Sequence, residues 1–253
     1  MMTNLKKTVL AMIVFAVLCW GGSIQARADT LNITGSLSLS PTGVDFLPIG
    51  GGVGTFTVPP FLTQTGIFVP LAGTNGTSKD LNFVTTSPLN TPFLLSSFLT
   101  FAANPTLRLD LTFINLGTFS QGNCFAVPAT GQTCTPNFAS LITAANPLGL
   151  SPFNLSNTTG TSSTLSFAVS GNVVDGATVT AFTGTFSTQF NVNFQQVLSV
   201  WAVGGTVQAT YSANFVTSPS TNPIPEPATM LLLGAGLAGV GAVVRKHHRA
   251  SRE

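Results

Sequence analysis

Charged side chains are scarce in this sequence of 253 residues, of which Asp, Glu, Lys and Arg together make up 6%. An ordinary soluble domain carries roughly 25%. Histidine occurs only at His247 and His248, and residues 29–224 contain no glutamate. Because that segment has no histidine, it cannot form a Ser-His-Asp or Cys-His catalytic site, or a zinc or iron site built on histidine. We therefore predict a protein that is not an enzyme and that has no cofactor and no metal.

The distribution of charge also argues against one class of partner. The formal net charge is +2, but the basic residues are concentrated at the two ends of the chain. Residues 29–224 contain only two cations, Lys79 and Arg108, against five aspartates, which gives a net charge of −3. A weakly acidic segment without a basic stripe is not expected to bind nucleic acid.

The five aspartates, which are Asp29, Asp45, Asp80, Asp110 and Asp175, leave two minor hypotheses open. Two of them could serve an aspartate-only hydrolase, and several together with backbone carbonyls could bind calcium. Simpler explanations exist for most of them. Asp175 suits a turn, Asp110 shares a predicted strand face with Arg108 as a surface pair, and Asp80 lies in a predicted loop.

The N-terminus has the three parts of a secretory signal peptide. Lys6 and Lys7 form a basic region, residues 9–20 form an apolar run, and Ala26-Arg27-Ala28 has the small-x-small cleavage pattern. We predict a signal peptide over residues 1–28, with a helix near residues 5–25 in the unprocessed chain. The secretion machinery and signal peptidase are then expected partners.

Cysteine is rare, and two of the three cysteines, Cys124 and Cys134, lie beyond the predicted signal peptide. In an exported protein a disulfide is the expected state of such a pair. A metal or redox role would require histidine partners or a Cys-x-x-Cys spacing. We therefore predict a disulfide between Cys124 and Cys134 that staples an exposed loop, which is a candidate contact surface.

From Thr30 onward the dominant hydrophobic period is two. Apolar residues alternate with Ser, Thr, Asn and Gln over residues 31–39, 107–113, 165–169, 182–194 and 207–215. Such alternation is typical of strands with one buried and one exposed face. Turn signals, among them Asp175-Gly176, separate these segments. The sequence therefore predicts an all-β fold, an antiparallel β-sandwich with a jelly-roll-like core, over residues 29–217.

Two further local predictions concern less regular stretches. A short helix is predicted with Thr135 as its cap and Pro136 as its first residue, ending at Asn146-Pro147. The polar run at residues 73–79, which contains Asn75-Gly76, predicts a loop.

Trp201 and Tyr211 could stack on a sugar if they were exposed. However, Trp201 lies in an apolar run, and Tyr211 shares the parity of buried strand residues, so we expect both in the core.

The C-terminal tail has three parts in a fixed order. Pro225, Glu226 and Pro227 come first, followed by residues 228–244, which carry no charge, and then by a basic cluster. A helix of these 17 residues would be about 25 Å long, near the short end of a bilayer span. The basic cluster, Arg245, Lys246 and Arg249, should remain cytoplasmic and stop transfer, so the chain before residue 228 is expected outside.

These three parts together resemble the PEP-CTERM sorting signal of Gram-negative bacteria, over residues 225–253 and nothing upstream. The resemblance implies that an exosortase-type membrane protease recognises Pro225, Glu226 and Pro227 and removes the tail. The transmembrane helix at residues 228–244 would be a transient inner-membrane anchor, and residues 218–224 a Pro/Ser/Thr linker. The alternative is a permanent C-terminal anchor that follows a proline-rich stalk.

The sequence as a whole predicts an exported protein of the cell surface or extracellular matrix, with a structural or adhesive role linked to exopolysaccharide in a biofilm. Polar strand faces with few charges suit contact with a neutral polysaccharide that depends weakly on salt. The alternatives are a carbohydrate- or calcium-binding lectin-like module and the aspartate-only hydrolase.

Overall fold

Antiparallel strands are the main regular structure of the computed structural model, which describes residues 27–47, 54–141 and 149–219. Residues Ala28–Pro219 form one unit. Its strands are β1 (Thr30–Ser40), β2 (Gly43–Leu47), β3 (Thr55–Thr57), β4 (Asn75–Ser78), β5 (Leu81–Asn82), β6 (Leu95–Phe101), β7 (Asn104–Ile114), β8 (Thr133–Cys134), β9 (Asn154–Thr159), β10 (Ser162–Asp175), β11 (Thr178–Phe190) and β12 (Val207–Thr217). Its helices are a 3₁₀ helix (Gly66–Leu71), α1 (Phe138–Leu141) and α2 (Phe194–Ala202).

Two helices that the sequence predicts fall elsewhere in the chain. The signal helix near residues 5–25 and the transmembrane helix at residues 228–244 lie outside the described residues. Within the described ranges, no helix combines the length and the apolar character that crossing a membrane requires.

Eight strands are joined edge to edge in a closed circuit, in the order β1, β3, β4, β6, β7, β10, β11, β12 and back to β1. The remaining four strands branch from this circuit. β2 pairs with β1 and β5 pairs with β2, while β9 pairs with β10 and β8 pairs with β9. The ladders between described strands are antiparallel, which confirms the predicted antiparallel all-β architecture. Because the ladders form one sheet, the pairings do not themselves divide it into the two sheets of a jelly roll.

Phenylalanine rings fill the space that the strands enclose. Phe167 and Phe186 stack with ring centroids 4.7 Å apart, and Phe186 also contacts Phe46 and Phe98 at 5.5 and 6.2 Å. The predicted alternation of β1 and β10 is confirmed, since the apolar residues of both strands are buried and the polar residues between them are more exposed. A large aromatic ring removes more apolar surface from water than an aliphatic side chain, so few residues suffice to fill this core.

Four strand glycines lie directly opposite an aromatic residue of the neighbouring strand, so that each ring covers glycine backbone. The pairs are Gly35–Tyr211, Phe56–Gly76, Gly171–Phe182 and Gly184–Phe215. A Cβ atom added at Gly35 would lie 2.8 Å from Cε1 of Tyr211. The same pairing explains an error of the sequence prediction. Asn75-Gly76 belongs to β4 and not to a loop, because Gly76 leaves space for the Phe56 ring.

A β-bulge changes the predicted parity of β7. Leu111 pairs with Gly171, but Phe113 pairs with Ser170, so β7 has one extra residue at this point. The extra residue turns Ile114 into the core and leaves Phe113 half-buried, whereas the sequence predicted that Phe113 continues the buried row. A bulge of this kind bends the strand and redirects the side chains that follow it.

The long Phe-rich segment that the sequence predicted as one strand is a strand followed by a helix. β11 ends at Phe190, Val192 is exposed, and Phe194 begins α2. The change occurs at Asn193, whose side chain accepts a hydrogen bond from the Gln196 N–H (3.0 Å) and so caps the helix. The prediction failed because Phe194, the first buried residue of α2, follows Phe190 at a spacing that also suits the alternation of a strand.

The predicted helix near residue 135 is shorter than expected and has a different start. α1 begins at Phe138, and the Asn137 side chain accepts the Ala139 N–H (3.0 Å), so Thr135 is not its cap. Residues 142–148, where the predicted helix would end, lie outside the described part of the chain.

The predicted hairpin at residue 175 forms, but Asp175 pairs with Thr178, which makes Gly176 and Ala177 the turn. Gly176 has φ +57°, as the first central residue of a type II′ turn requires.

Candidate functional site

The cysteines lie at the two ends of a loop that the disulfide closes. Cys124 and Cys134 are both buried and bonded to each other, with Cα atoms 5.2 Å apart and a sequence separation of ten residues. Cys134 ends β8, which pairs with β9, so one end of the crosslink is fixed in the sheet. We name residues 117–134, which are this disulfide-closed loop and the seven residues before it, the stapled loop.

Large apolar side chains project from the stapled loop into solvent. Val127 is 85% exposed, Phe125 73% and Phe119 38%. Phe125 and Val127 follow the buried Cys124 almost directly, so they are exposed at a point where the backbone is covalently held. The disulfide thus limits the conformational entropy that these side chains would lose on contact with a partner.

An amide network ties the stapled loop to the rest of the fold. Gln132 Oε1 accepts from the Ala129 N–H (2.9 Å), from Gln195 Nε2 (2.9 Å) and from Asn157 Nδ2 (3.3 Å). Asn157 is 1% exposed, and its Oδ1 accepts the N–H of Phe194, the first residue of α2. The network satisfies amides that burial would otherwise penalise, and it connects the loop, β9 and α2. These residues are 25 to 63 positions apart in sequence, so no local pattern predicted the network.

A second set of hydrogen bonds fixes the N-terminal side of the stapled loop. Asn154 Oδ1 accepts the Thr118 N–H (2.8 Å) and the Thr135 hydroxyl (2.8 Å), and Thr135 Oγ1 accepts the Phe119 N–H (3.0 Å). Thr135 is fully buried. Its hydroxyl therefore positions the loop, which is the role the structure gives it in place of the predicted helix cap.

The stapled loop and the ends of the folded unit attach to opposite ends of β11. The Gly131 N–H donates to the Asn157 carbonyl of β9, and the β10 residue beside Asn157 pairs with Phe190 at the end of β11. Thr217, the last residue of β12, pairs with Phe182 near the start of β11. Eight residues of strand separate these two points, or about 26 Å.

Two of the aspartates lie near each other at exposed positions, Asp45 on β2 and Asp80 between β4 and β5. Asp80 Oδ1 accepts the Phe46 N–H (2.7 Å), which brings Asp80 beside Asp45 on β2. Partial burial, and secondarily the negative charge of Asp80, raise the pKa of Asp45 above its ordinary value. Within the described residues, no group of three or more Asp, Glu, His or Cys side chains comes together as a metal ion would need.

Asp110 does not have the solvent-exposed role that the sequence suggested. Arg108 Nε lies 3.2 Å from Asp110 Oδ1, so the expected pair forms, but Asp110 is buried whereas Arg108 is half-exposed. The same Oδ1 accepts the Ser97 N–H (2.6 Å), and Ser97 has φ +54° at an irregular point of β6. Asp110 therefore stabilises a left-handed backbone conformation that is unfavourable for serine. The hydrogen bonds to Ser97 and Arg108 thus give Asp110 a structural role.

The aromatic residues that could have stacked on a sugar are in the core, as expected. Trp201 is fully buried and its Nε1–H donates to the Leu39 carbonyl (3.1 Å), while Tyr211 is 3% exposed. Neither ring is available to a ligand. An open apolar cavity of about 410 Å³ lies elsewhere, beside Phe83, Leu89 and Leu150, and no carboxylate is among its lining residues in the described structure.

The residues predicted to direct export and sorting lie almost entirely beyond the described structure. Ala26, Pro225, Glu226, Pro227, Arg245, Lys246 and Arg249 are outside it. Ala28 is inside, next to the exposed Arg27, and the backbone N–H of the following Asp29 donates to Thr217 Oγ1 (2.7 Å). Predicted cleavage after Ala28 would thus leave a new N-terminus already bonded to the fold.

Comparison with known proteins identifies the tail and leaves the strands unassigned. No curated protein and no solved structure matches the chain. A family model, the PEP-CTERM protein-sorting motif, matches residues 223–246. The C-terminal tail of this chain therefore carries a PEP-CTERM protein-sorting motif, the signal of an exported protein that is sorted at the membrane by an exosortase.

Proposed function

We propose that this is a non-enzymatic protein of the cell surface or extracellular matrix that binds neutral exopolysaccharide through its stapled loop. The observation that carries the proposal is the exposure of Phe125 and Val127 on a loop closed by a disulfide, in a chain with a sorting motif. The exosortase-type protease would release or transfer the domain after it recognises Pro225, Glu226 and Pro227.

The surroundings of the loop support contact with an uncharged partner. Residues 117–134 contain no charged residue, and their exposed polar groups are amides, hydroxyls and backbone. Such a surface can stack apolar side chains on the C–H faces of sugars and exchange hydrogen bonds at the rim. The stapled loop and the ends of the folded unit attach at points about 26 Å apart along β11, so a partner of the loop need not compete with the chain ends.

The sorting part of the proposal is tested by one substitution in the native host. Glu226→Ala should leave a larger protein in the inner membrane, because the recognised triplet is lost, while the wild type loses both ends. Glu253→Ala is the matched control, since Glu253 is the only other glutamate of the chain. Mass spectrometry of fractionated cells gives the result. If the wild-type protein keeps its tail and stays in the membrane, the tail is a permanent anchor and the processing part of the proposal is wrong.

The contact part is tested separately, on chains that are sorted normally. Phe125→Ser with Val127→Ser removes the exposed apolar surface of the loop, and Val84→Ser with Val179→Ser is a control at two other exposed apolar positions. We expect the loop variant to be washed from the matrix while the control stays, with little effect of salt concentration on either. Equal retention of the two variants would remove the loop from the proposal.

The calcium-binding and hydrolase alternatives are less favoured because of the aspartates themselves. Asp110 and Asp29 are engaged by backbone N–H groups, and Asp175 accepts the Thr106 hydroxyl (3.2 Å). Only Asp45 and Asp80 form a close pair, on an exposed part of the surface.

A further inference from the structure

The connection between β3 and β4 exposes an unusual amount of apolar surface. Residues 58–74 carry no charge. Within them, Phe61 is 81% exposed, Val69 55%, and Leu62 and Ile67 37% each. Nine consecutive residues thus supply four of the thirteen large apolar side chains that are exposed in the described structure. We name residues 58–74 the docking segment.

The docking segment is held in shape by the core beneath it. Phe68 and Leu71 of the 3₁₀ helix are fully buried, so Ile67 and Val69 on either side of Phe68 remain outside. The Thr74 hydroxyl donates to the Leu71 carbonyl (2.7 Å) and closes the end of the helix. The exposure is therefore a property of a fixed surface, which is the kind of apolar patch that marks an interaction site.

Hydrogen bonds place the docking segment at the point where the chain enters and leaves the folded unit. The Thr65 N–H donates to the Thr30 carbonyl (3.0 Å), and the Ile67 N–H donates to Asp29 Oδ2 (3.3 Å). The Thr217 N–H donates to the Asp29 carbonyl (2.9 Å). The segment thus lies beside both the predicted mature N-terminus and the last residue of β12.

The length of chain beyond β12 limits how far this point can be from a membrane. Nine residues, 219–227, separate the apolar stretch at residues 228–244 from Ser218, whose N–H donates to the Ala181 carbonyl of the folded unit. Fully extended, nine residues span about 30 Å. While the tail is in the membrane, the docking segment is therefore confined to a thin layer above the lipid, at a high effective concentration.

We propose that the docking segment binds the lipid surface of the membrane during the stage at which the tail anchors the chain. Phe61, Leu62, Ile67 and Val69 enter the boundary between headgroups and acyl chains, where apolar side chains are favoured. Because the segment has no Lys or Arg, anionic lipid adds no attraction, and binding does not depend on headgroup charge or salt. The inference rests on the membrane stage of sorting and is independent of any contact with polysaccharide.

Docking has two consequences for sorting. It fixes the folded unit with its chain ends toward the lipid, so that the chain between β12 and the triplet at residues 225–227 begins close to the surface where a membrane protease acts. It also ends with processing, because a small apolar contact without a tether gives only weak and reversible membrane binding. While the docking segment is bound, the stapled loop lies on the side away from the lipid.

The experiment uses the full chain in phosphatidylcholine vesicles, with a single tryptophan added by Phe61→Trp. Phe61 is mostly exposed, so the exchange of one aromatic ring for another there leaves the core unchanged. Trp20 and Trp201 are present in every sample and are subtracted with the wild type. The matched control is Phe125→Trp, which places the same probe on the stapled loop at similar exposure. Vesicle flotation measures membrane anchoring independently.

We expect brominated acyl chains to quench about half or more of the fluorescence of the tryptophan at position 61, since bromine quenches an indole that enters the headgroup boundary. The tryptophan at position 125 should be unaffected. Ile67→Asp with Val69→Asp, added to Phe61→Trp, should remove the quenching but leave flotation intact, because charge opposes insertion.

Three results would overturn the inference. The first is that the tryptophan fluorescence at position 61 is not quenched in chains that float with the vesicles. The second is that the fluorescence at positions 61 and 125 is quenched equally, which would mean that the domain has no fixed orientation on the membrane. A shift of the fluorescence of the tryptophan at position 61 without quenching, together with a dimer in solution, would assign the surface to a second copy of the chain. Failure of the wild type to float would remove the anchored stage, and the sorting proposal with it.

Discussion

Removal of the disulfide should weaken the fold by a definite amount without abolishing it. For Cys124→Ala with Cys134→Ala, the sequence separation of ten residues corresponds to a loss of about 2.7 kcal/mol from chain entropy at 25 °C. The amide network around Gln132 and the hydrogen bonds of Asn154 remain in the variant. We therefore expect the stapled loop to stay attached and the strands to stay folded.

Thermal and urea unfolding of the exported protein measure this loss. For a domain of this size, 1 kcal/mol shifts Tm by roughly 2–4 °C, so we expect a decrease of about 5–11 °C. Reduction of the wild type by a thiol should give the same decrease, which separates loss of the crosslink from the effect of alanine. A change in the free energy of unfolding below about 1 kcal/mol would refute the entropic argument. A variant that is unfolded at 25 °C would show that the amide network contributes little.

Two further predictions concern the core and the surface charge. Gly35→Ala places a Cβ atom 2.8 Å from the Tyr211 ring and should lower the free energy of unfolding by about 1–3 kcal/mol. Gly122→Ala is the control, because its Cβ atom would lie 3.5 Å from the Ser120 hydroxyl oxygen, an ordinary contact, and should change stability little. Equal effects of the two substitutions in urea unfolding would contradict the packing argument. Asp45 has a raised pKa in the folded state, so its contribution to stability decreases as pH rises through that pKa. Asp45→Asn should therefore stabilise the protein at neutral pH and reduce the change of Tm with pH in the acid range. If the profile of Tm against pH is the same in the variant and the wild type, burial and Asp80 do not act on Asp45.

The predictions that succeeded depend on neighbours in sequence. The alternation around Leu31 and around Phe167 determines which face of each strand is buried, since side chains alternate along any extended strand. The scarcity of charge and the position of the cysteines likewise follow from the sequence directly. The tail was identified from its own order of triplet, apolar stretch and basic cluster, and the matching family model covers that same region.

The predictions that failed depend on contacts that outweigh the hydrophobic pattern, and most of these contacts are made only in the fold. Phe194 has the spacing of a strand residue, but the side chain of Asn193 caps a helix there. Asn75-Gly76 has the composition of a turn, but Phe56 of the neighbouring strand covers the glycine. Phe113 has the parity of a buried strand residue, but a bulge that is set by pairing with β10 leaves it only half-buried. In each case a contact with a distant or capping group outweighs a local preference that is weaker.

The sequence by itself determined that the chain is exported, carries a sorting motif and forms antiparallel strands, because these properties follow from local composition and from the spacing of apolar residues. Only the tertiary structure decided which apolar side chains remain in solvent. Phe61 and Phe125 are apolar like the buried phenylalanines, yet Phe61 lies exposed beside the ends of the folded unit and Phe125 lies exposed on a crosslinked loop. Burial depends on which strands close around a residue, and that closure is set by pairings between residues far apart in the chain.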